Sequence, residues 1–223
     1  MNTGLKNMEM PQYTKGEEIF NMVSHIVGVA LGVTVTTLCV ITAARHHNVY
    51  GIVSGALFGF MMIVVYCMSS IYHGLKPNIP SKKVLRVLDH CAIYLLIAAT
   101  YTPFALCIIR ESNPALGWVH FGIVWGVAAI GITLNAISLK KFKIISMILY
   151  LSMGWSLFLA YKIIFSGIGI PGLIFLVGGG VAYTVGAVLY GIGKKRIYMH
   201  SVFHLFILLG SLLHFFCIVF YVL

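Results

Sequence analysis

Seven long apolar runs with almost no charged residues constrain the fold of this chain more than any other feature. A transmembrane helix needs roughly 20 mostly apolar residues to cross a hydrocarbon core of about 30 Å. The runs cover residues 19–42, 51–71, 87–109, 116–139, 144–165, 170–192 and 198–223. The sequence therefore predicts an all-α integral membrane protein, a bundle of seven transmembrane helices.

The overall composition excludes a water-soluble globular protein. Of the 223 residues, 60% are hydrophobic and only 9% are charged, and the mean hydropathy is +0.99. A soluble domain needs far more polar surface than this. The connections between the runs are too short for a second domain, so we predict a short polar cytosolic segment over residues 1–16 and a single seven-helix transmembrane domain over residues 17–223.

The basic residues are distributed unevenly between the two sets of connections, and this distribution predicts the orientation. Of the 15 Lys and Arg residues, only Arg45, Arg110 and Lys162 lie in one set. The other 12 are Lys6, Lys15, Lys76, Lys82, Lys83, Arg86, Lys140, Lys141, Lys143, Lys194, Lys195 and Arg196. The positive-inside rule puts the richer set in the cytosol, so the N-terminus is predicted inside and the C-terminus outside.

The formal net charge of +10 would suggest a nucleic-acid partner in a soluble protein. In a membrane protein the position of the charges matters more than their sum. We therefore expect no nucleic acid as a partner. The expected partners are membrane lipids, including anionic headgroups of the inner leaflet near the Lys and Arg loops, and the expected location is the plasma membrane with several crossings. The oligomeric state stays open.

Ionisable side chains inside the runs indicate a functional site, because such groups are costly in a membrane. His200 and His204 are four residues apart, which places them on one helix face about 6 Å apart along the axis. With the predicted topology, His73 and the single aspartate, Asp89, lie at the same membrane level. The sequence predicts that His73, His200 and His204 bind one metal ion.

The types of residue in this set favour zinc and hydrolysis. Three imidazoles leave a tetrahedral zinc with one open position, which is the ligand count of catalytic sites. Zinc lowers the pKa of bound water towards about 7. We assign Asp89 and Ser69 to the catalytic group, Asp89 to orient or deprotonate the water and Ser69 to supply a hydrogen bond, as Tyr72 also does from outside the ligand set.

Other polar residues receive weaker assignments. Glu17, Asn21 and His25 recur at helical spacing in the first run and are predicted as outer members of the polar cluster. Glu17 and Glu18 near a helix N-terminus are also favourable through the helix dipole alone. His90 is turned about 100° from Asp89 and is interpreted as a packing residue. His214 lies about 15 Å beyond His204, so we expect a buried hydrogen bond there.

Several of these motifs together resemble the hemolysin III branch of the progestin and adipoQ receptor family. The motifs are Glu17-Glu18-x-x-Asn21-x-x-Ser24-His25, Ser69-x-x-x-His73, Leu88-Asp89-His90, Tyr101-Thr102-Pro103-Phe104 and His200-x-x-x-His204. The resemblance implies a seven-helix fold with a cytosolic N-terminus and a zinc ion near the cytosolic face. It implies that His73, His200 and His204 hold the zinc and that Asp89 holds its water.

The resemblance also implies a function, and other functions stay open. Relatives of the family are similar to ceramidases that hydrolyse lipid amides, and bacterial members are linked to haemolysis and to membrane-lipid homeostasis. The alternatives are a cytolytic membrane protein, a proton or ion pathway through His25, His204 and His214, and haem ligation by paired histidines. The sequence leaves open the substrate, and whether the site is catalytic or structural.

Overall fold

The computed structural model describes residues 8–77, 79–193 and 196–223, and all regular secondary structure in these ranges is helical. The elements in chain order are α1 Lys15–Arg45, α2 Val49–Gly74, α3 Pro80–Pro103, a π-helix Phe104–Ile109, a turn Arg110–Ser112, α4 Pro114–Ile137, α5 Lys143–Gly154, a 3-10 helix Ser156–Ala160, α6 Tyr161–Ile192 and α7 Met199–Tyr221.

Polar side chains define where several of these helices begin. Thr14 and Glu17 form a capping box at the start of α1, in which each side chain accepts from the backbone of the other. Asn48 accepts from the Gly51 amide at 2.8 Å before α2. Asn113 does the same for Leu116 before α4 at 3.0 Å. Each cap satisfies a backbone N–H that the helix itself leaves unpaired.

Six helical stretches of the described chain are long and apolar enough to cross a membrane, and the protein is a multi-pass membrane protein. They are Lys15–Arg45, Val49–Gly74, Pro80–Ser112, Pro114–Ile137, Lys143–Ile192 and Met199–Tyr221. This count differs from the seven runs of the sequence because the fifth and sixth runs fall within one stretch of 50 residues, Lys143–Ile192.

That long stretch is interrupted at Gly169, which has φ 62° and ψ −172° inside α6. A side chain would be strained at this φ, so glycine suits the position. Pro171 follows two residues later and can begin a helix without losing a hydrogen bond. On either side of the break, Trp155 Nε1 donates to Thr184 Oγ1 at 3.2 Å. The two residues are nearly equidistant from Gly169 in the sequence.

The second part of α6 packs antiparallel against α7. Cys217 Sγ contacts the Gly172 carbonyl at 3.2 Å near one end of the pair. The Tyr183 and Ser211 hydroxyls lie 2.7 Å apart further along. This pairing positions the first turns of α7, which carry His200 and His204.

Small residues bring α1 close to α2. A side chain at Gly28 would meet the ring of Tyr66 at 2.7 Å, and one at Gly32 would meet Ile63 at 2.9 Å. The spacing of four residues between these glycines thus permits close backbone approach, as in other membrane helix pairs. As a consequence, the first turn of α1 lies beside the last turn of α2, where His73 is found.

Candidate metal centre

Three histidines from two helices converge at the end of the bundle where α1 and α7 begin. His73 lies in the last turn of α2, and His200 and His204 lie in the first turns of α7. One ring nitrogen of each lies within 4.8 Å of the others. The Nε2 atoms of His200 and His204 are 3.0 Å apart. The three imidazoles that the sequence singled out therefore form one cluster, of a size that suits a single ion.

The cluster is buried, and part of its hydrogen-bonding capacity has no protein partner. His73 is 2% exposed and His204 3%. Within the part of the chain that the structure describes, Nε2 of His73 and Nδ1 of both His200 and His204 lack a hydrogen bond. A buried polar atom without a partner costs about 1–3 kcal/mol. A zinc ion bound by Nε2 of His73 would offset this cost at that atom, and three imidazole nitrogens at this spacing suit zinc.

Glu18 orients His73 from the side opposite the cluster. Its Oε2 atom lies 2.6 Å from His73 Nδ1, and its Oε1 atom accepts from Lys82 Nζ at 2.6 Å. A carboxylate on the second nitrogen of a metal-binding histidine is a recurrent feature of zinc sites. The sequence prediction missed both Glu18 and Lys82, and only the packing of α1 against α2 reveals them.

Glu17 was predicted as a member of the polar cluster, and its side chain bonds elsewhere. Its Oε2 atom accepts from the Thr14 amide at 2.8 Å, and its Oε1 atom accepts from the Tyr198 amide at 2.8 Å. Tyr198 is the residue before α7 and has a left-handed φ of 62°. Glu17 therefore joins the start of α1 to the start of α7, while the adjacent Glu18 points to His73.

Asn21 and His25 lie on the buried side of α1, as predicted. His25 is 3% exposed, and its ring packs edge-on against His204 with centroids 4.1 Å apart. Both ring nitrogens of His25 and both amide atoms of Asn21 are buried without a protein partner. These two side chains therefore add polar atoms beside the three histidines, although His25 is not part of the group of three.

Asp89, Ser69 and Tyr72 also lie close to the cluster. Asp89 and Ser69 line the same cavity as His200 and His204. Ser69 is 1% exposed, so its hydroxyl is shielded from solvent. Tyr72 packs its ring against that of His73, with centroids 4.7 Å apart. Its observed contact with the site is through the ring, and its hydrogen bond stays a prediction.

The cavity beside the cluster has a volume of about 160 Å³. Its polar end presents His25, Ser69, Asp89, His200 and His204. The remaining wall is mostly apolar, with Val65, Leu96, Ile97, Leu151 and Ile207 among its residues. An amphiphilic molecule suits such a space, because its chain can contact the apolar wall while its polar group meets the histidines.

A family model described as "Haemolysin-III related" matches residues 13–215, which include the three histidines, Asp89 and Glu18. The chain belongs to the haemolysin III-related family. It is 36% identical over 219 residues to Hemolysin-3 of Bacillus cereus, an alignment that covers 98% of this chain and 97% of that protein. It is 37% identical over 209 residues to the Hemolysin-3 homolog of Bacillus subtilis (strain 168), covering 94% and 96%.

A more distant relative is the human Monocyte to macrophage differentiation factor, 27% identical over 169 residues, covering 73% of this chain and 67% of that protein. The family that the sequence motifs indicated is thus confirmed. Membership in the haemolysin III-related family gives a multi-pass helical membrane protein. The names of these relatives specify no metal and no reaction.

The N-terminal residues of this haemolysin III-related protein cover the outer side of the histidine cluster. Tyr13 stacks on His200 with centroids 4.9 Å apart and an interplanar angle of 11°. The Arg86 guanidinium donates to the Glu9 carbonyl at 2.6 Å and holds this segment in place. A second pocket of about 420 Å³ lies here, and His200 and Tyr190 line both it and the apolar cavity.

Two other histidines, His214 and His90, are not part of the group of three. His214 Nε2 lies 3.1 Å from the Leu176 carbonyl, which confirms the predicted buried hydrogen bond. His90 Nδ1 lies 2.8 Å from the Arg86 carbonyl within α3. Neither ring is among the three that could share an ion.

Proposed function

We propose that this protein is a zinc-dependent intramembrane hydrolase that cleaves an amide or ester bond of a membrane lipid and thereby takes part in membrane-lipid homeostasis. One observation supports this proposal above all others. The nitrogens of His73, His200 and His204 lie within 4.8 Å of one another, and two of these histidines, His200 and His204, line an apolar cavity that Asp89 and Ser69 also line. Metal ligands, a carboxylate and a lipid-compatible space are therefore adjacent.

The chain's residues have distinct roles in this proposal. His73, His200 and His204 hold zinc, which when bound supplies a Lewis acid for carbonyl polarisation and water activation. Asp89 takes a proton from the attacking water and returns it to the leaving amine or alcohol. Ser69 donates a hydrogen bond at the same wall, and the apolar residues position the lipid chain and exclude bulk water.

The proposed topology has seven crossings with a cytosolic N-terminus in the plasma membrane. The stretch Lys143–Ile192 would be about 75 Å long as one helix, more than twice the hydrocarbon thickness. The break at Gly169 and the Trp155–Thr184 contact support two antiparallel crossings there. The one-sided Lys and Arg distribution supports the orientation. Three of those basic residues, Lys6, Lys194 and Lys195, lie outside the described residues.

The same basic residues support contacts with anionic headgroups of the inner leaflet. Each Lys or Arg near an anionic membrane surface contributes about 1 kcal/mol of attraction. Arg196 and Lys143 are exposed in the structure and are available for such contacts. A nucleic-acid partner is not part of the proposal.

Metal analysis of the purified protein tests the proposed site. We expect stoichiometric zinc in the natural protein and none in a His200→Ala, His204→Ala double variant. The matched control is His214→Ala, which removes a buried histidine from the same helix and should keep its zinc. A comparison of lipid species from cells with and without the protein should then reveal the substrate. Activity in metal-free protein would overturn the proposal.

The names of the two bacterial relatives support a second candidate, cytolysis. Dye release from liposomes containing the purified protein separates the two functions. Release that persists unchanged in a His73→Ala variant would favour a membrane-disrupting role that needs no metal. Lipid cleavage that disappears in the same variant, without dye release from the natural protein, would favour the hydrolase.

A further inference from the structure

A buried lysine, a glutamate and a histidine form a continuous chain of contacts behind the metal cluster. Lys82 Nζ donates to Glu18 Oε1 at 2.6 Å, and Glu18 Oε2 lies 2.6 Å from His73 Nδ1. Lys82 is only 4% exposed, although lysine is almost never fully buried unless it is paired. This chain of contacts therefore joins α1, α2 and α3, and it does not itself face the cavity.

The contact with Glu18 determines which nitrogen of His73 faces the cluster. A carboxylate only accepts hydrogen bonds, so the nitrogen beside it, Nδ1, carries the proton. The other nitrogen, Nε2, is then the unprotonated one. It is buried and has no partner among the protein groups. The lone pair of Nε2 is thus available to a metal ion, and the orientation of the ring is fixed from behind.

Lys82 restrains the glutamate and the helix end that carries His73. Besides Glu18, its ammonium donates to the Leu75 carbonyl at 2.9 Å, and Leu75 is the C-cap residue of α2. A cation is favourable there because the C-terminal end of a helix is partially negative. The same ammonium lies 5.2 Å from the centre of the Tyr72 ring, which packs on His73.

We infer that Glu18 and Lys82 are positioning residues of the metal centre, which hold His73 in the Nδ1–H tautomer with Nε2 directed at His200 and His204. This inference rests on the metal site of the proposed function and extends it to two residues from α1 and α3. Neither residue touches the ion or the substrate. Both act through His73.

Zinc affinity, measured by competition with a chelator, provides the first test. Loss of an outer hydrogen-bond partner of a ligating histidine typically weakens metal binding 10- to 100-fold, so we expect a loss of about that size for Glu18→Gln. The matched control is Glu17→Gln at the adjacent position, whose carboxylate bonds to Thr14 and Tyr198 and not to a histidine. Its zinc affinity should be unchanged.

A double variant tests the coupling between the two positioning residues. Glu18 bonds to Lys82 and to His73 through different oxygens, and in Glu18→Gln an NH2 group replaces one of these oxygens and faces one of the two donors without accepting from it. Replacing Lys82 by Met removes the competing donor, so the Glu18→Gln, Lys82→Met double variant should bind zinc more tightly than Glu18→Gln alone. If the losses of zinc affinity caused by the two single substitutions simply add in the double variant, Lys82 does not act through Glu18.

Nitrogen-15 NMR of the histidine rings in metal-free protein gives a readout that is independent of zinc and of activity. We expect His73 as the Nδ1–H tautomer in the natural protein and a tautomer mixture in Glu18→Gln. A fixed tautomer in a protein that never binds zinc would support this inference and refute the proposed function. An unchanged tautomer and an unchanged zinc affinity in folded Glu18→Gln would overturn the inference while leaving the proposed function intact.

Discussion

Two polar clusters lie near one another inside the bundle, and they differ in how many of their polar atoms form hydrogen bonds with protein groups. In the first, between α3, α4 and α5, Asn135 Oδ1 accepts from Ser146 at 2.6 Å and Asn135 Nδ2 donates to the Tyr150 hydroxyl at 3.0 Å. Tyr150 in turn donates to the His90 carbonyl at 2.8 Å. Both amide atoms of Asn135 are thus satisfied by protein groups.

In the second, the histidine cluster, many polar atoms are left without a protein partner. Among the described residues, the unpaired atoms include both amide atoms of Asn21, both ring nitrogens of His25 and Nε2 of His73. A membrane protein has strong reason to pair such groups internally, because the hydrocarbon offers no water. The Asn135 network thus joins its helices through hydrogen bonds between protein groups, whereas the histidine cluster leaves polar atoms that the metal of our proposal would engage.

Removing one of the three proposed metal ligands should have the largest effect. His73→Ala should abolish zinc retention, because two imidazoles alone leave the ion without the third ligand of a catalytic site.

Chelation of zinc should also lower the unfolding temperature of the natural protein, since a ligand at 100 times its dissociation constant stabilises a protein by about 2.7 kcal/mol. His73→Ala should show no such response. A chelation effect of equal size in both proteins would assign the stabilisation to some other metal site.

Disrupting the hydrogen-bonded Asn135 network should have a smaller effect, which is on stability and not on zinc binding. Asn135→Leu removes interhelical hydrogen bonds and should lower the free energy of unfolding by about 1–2 kcal/mol, without changing the zinc content. Unfolding in detergent, followed by circular dichroism, measures the first quantity. Thr133→Val on the same helix is a suitable control, because Thr133 is exposed and bonds only to the Ala129 carbonyl of its own helix. Loss of zinc in Asn135→Leu would show that the two clusters are coupled.

The contrast also explains which parts of the molecule could be predicted from the sequence. The sequence identifies His200 and His204 because a spacing of four residues places both on one face of a helix. It identifies His73 because the direction of the second apolar run places this residue at the same membrane level. The break at Gly169 lies between two predicted runs, although helix length and composition alone merge them into Lys143–Ile192. These features depend on local periodicity, which a sequence displays directly.

The residues behind the cluster depend on packing instead. Glu17 and Glu18 are adjacent at a helix N-terminus, where the dipole favours both, so periodicity could not assign one to a cap and the other to His73. Lys82 was interpreted as a loop cation of the positive side, and the structure buries it. The close approach of α1 to α2 at Gly28 brings Glu18 beside His73 and Lys82, and the periodicity of the sequence does not reveal that distance.

The smallest expected effect concerns the N-terminal residues that cover the cluster. Tyr13 stacks on His200, and such ring pairs contribute about 0.5–1.5 kcal/mol. Burial raises the pKa of the Tyr13 phenol, so the group is neutral at physiological pH and covers the site as an uncharged ring. Tyr13→Ala should therefore leave the zinc content intact and speed the exchange of zinc with a chelator, whereas Tyr13→Phe, which keeps the ring, should exchange at the natural rate. If both variants exchange equally fast, the hydroxyl and not the stacking restricts access, and the covered side of the cluster is closed by a hydrogen bond rather than by a ring.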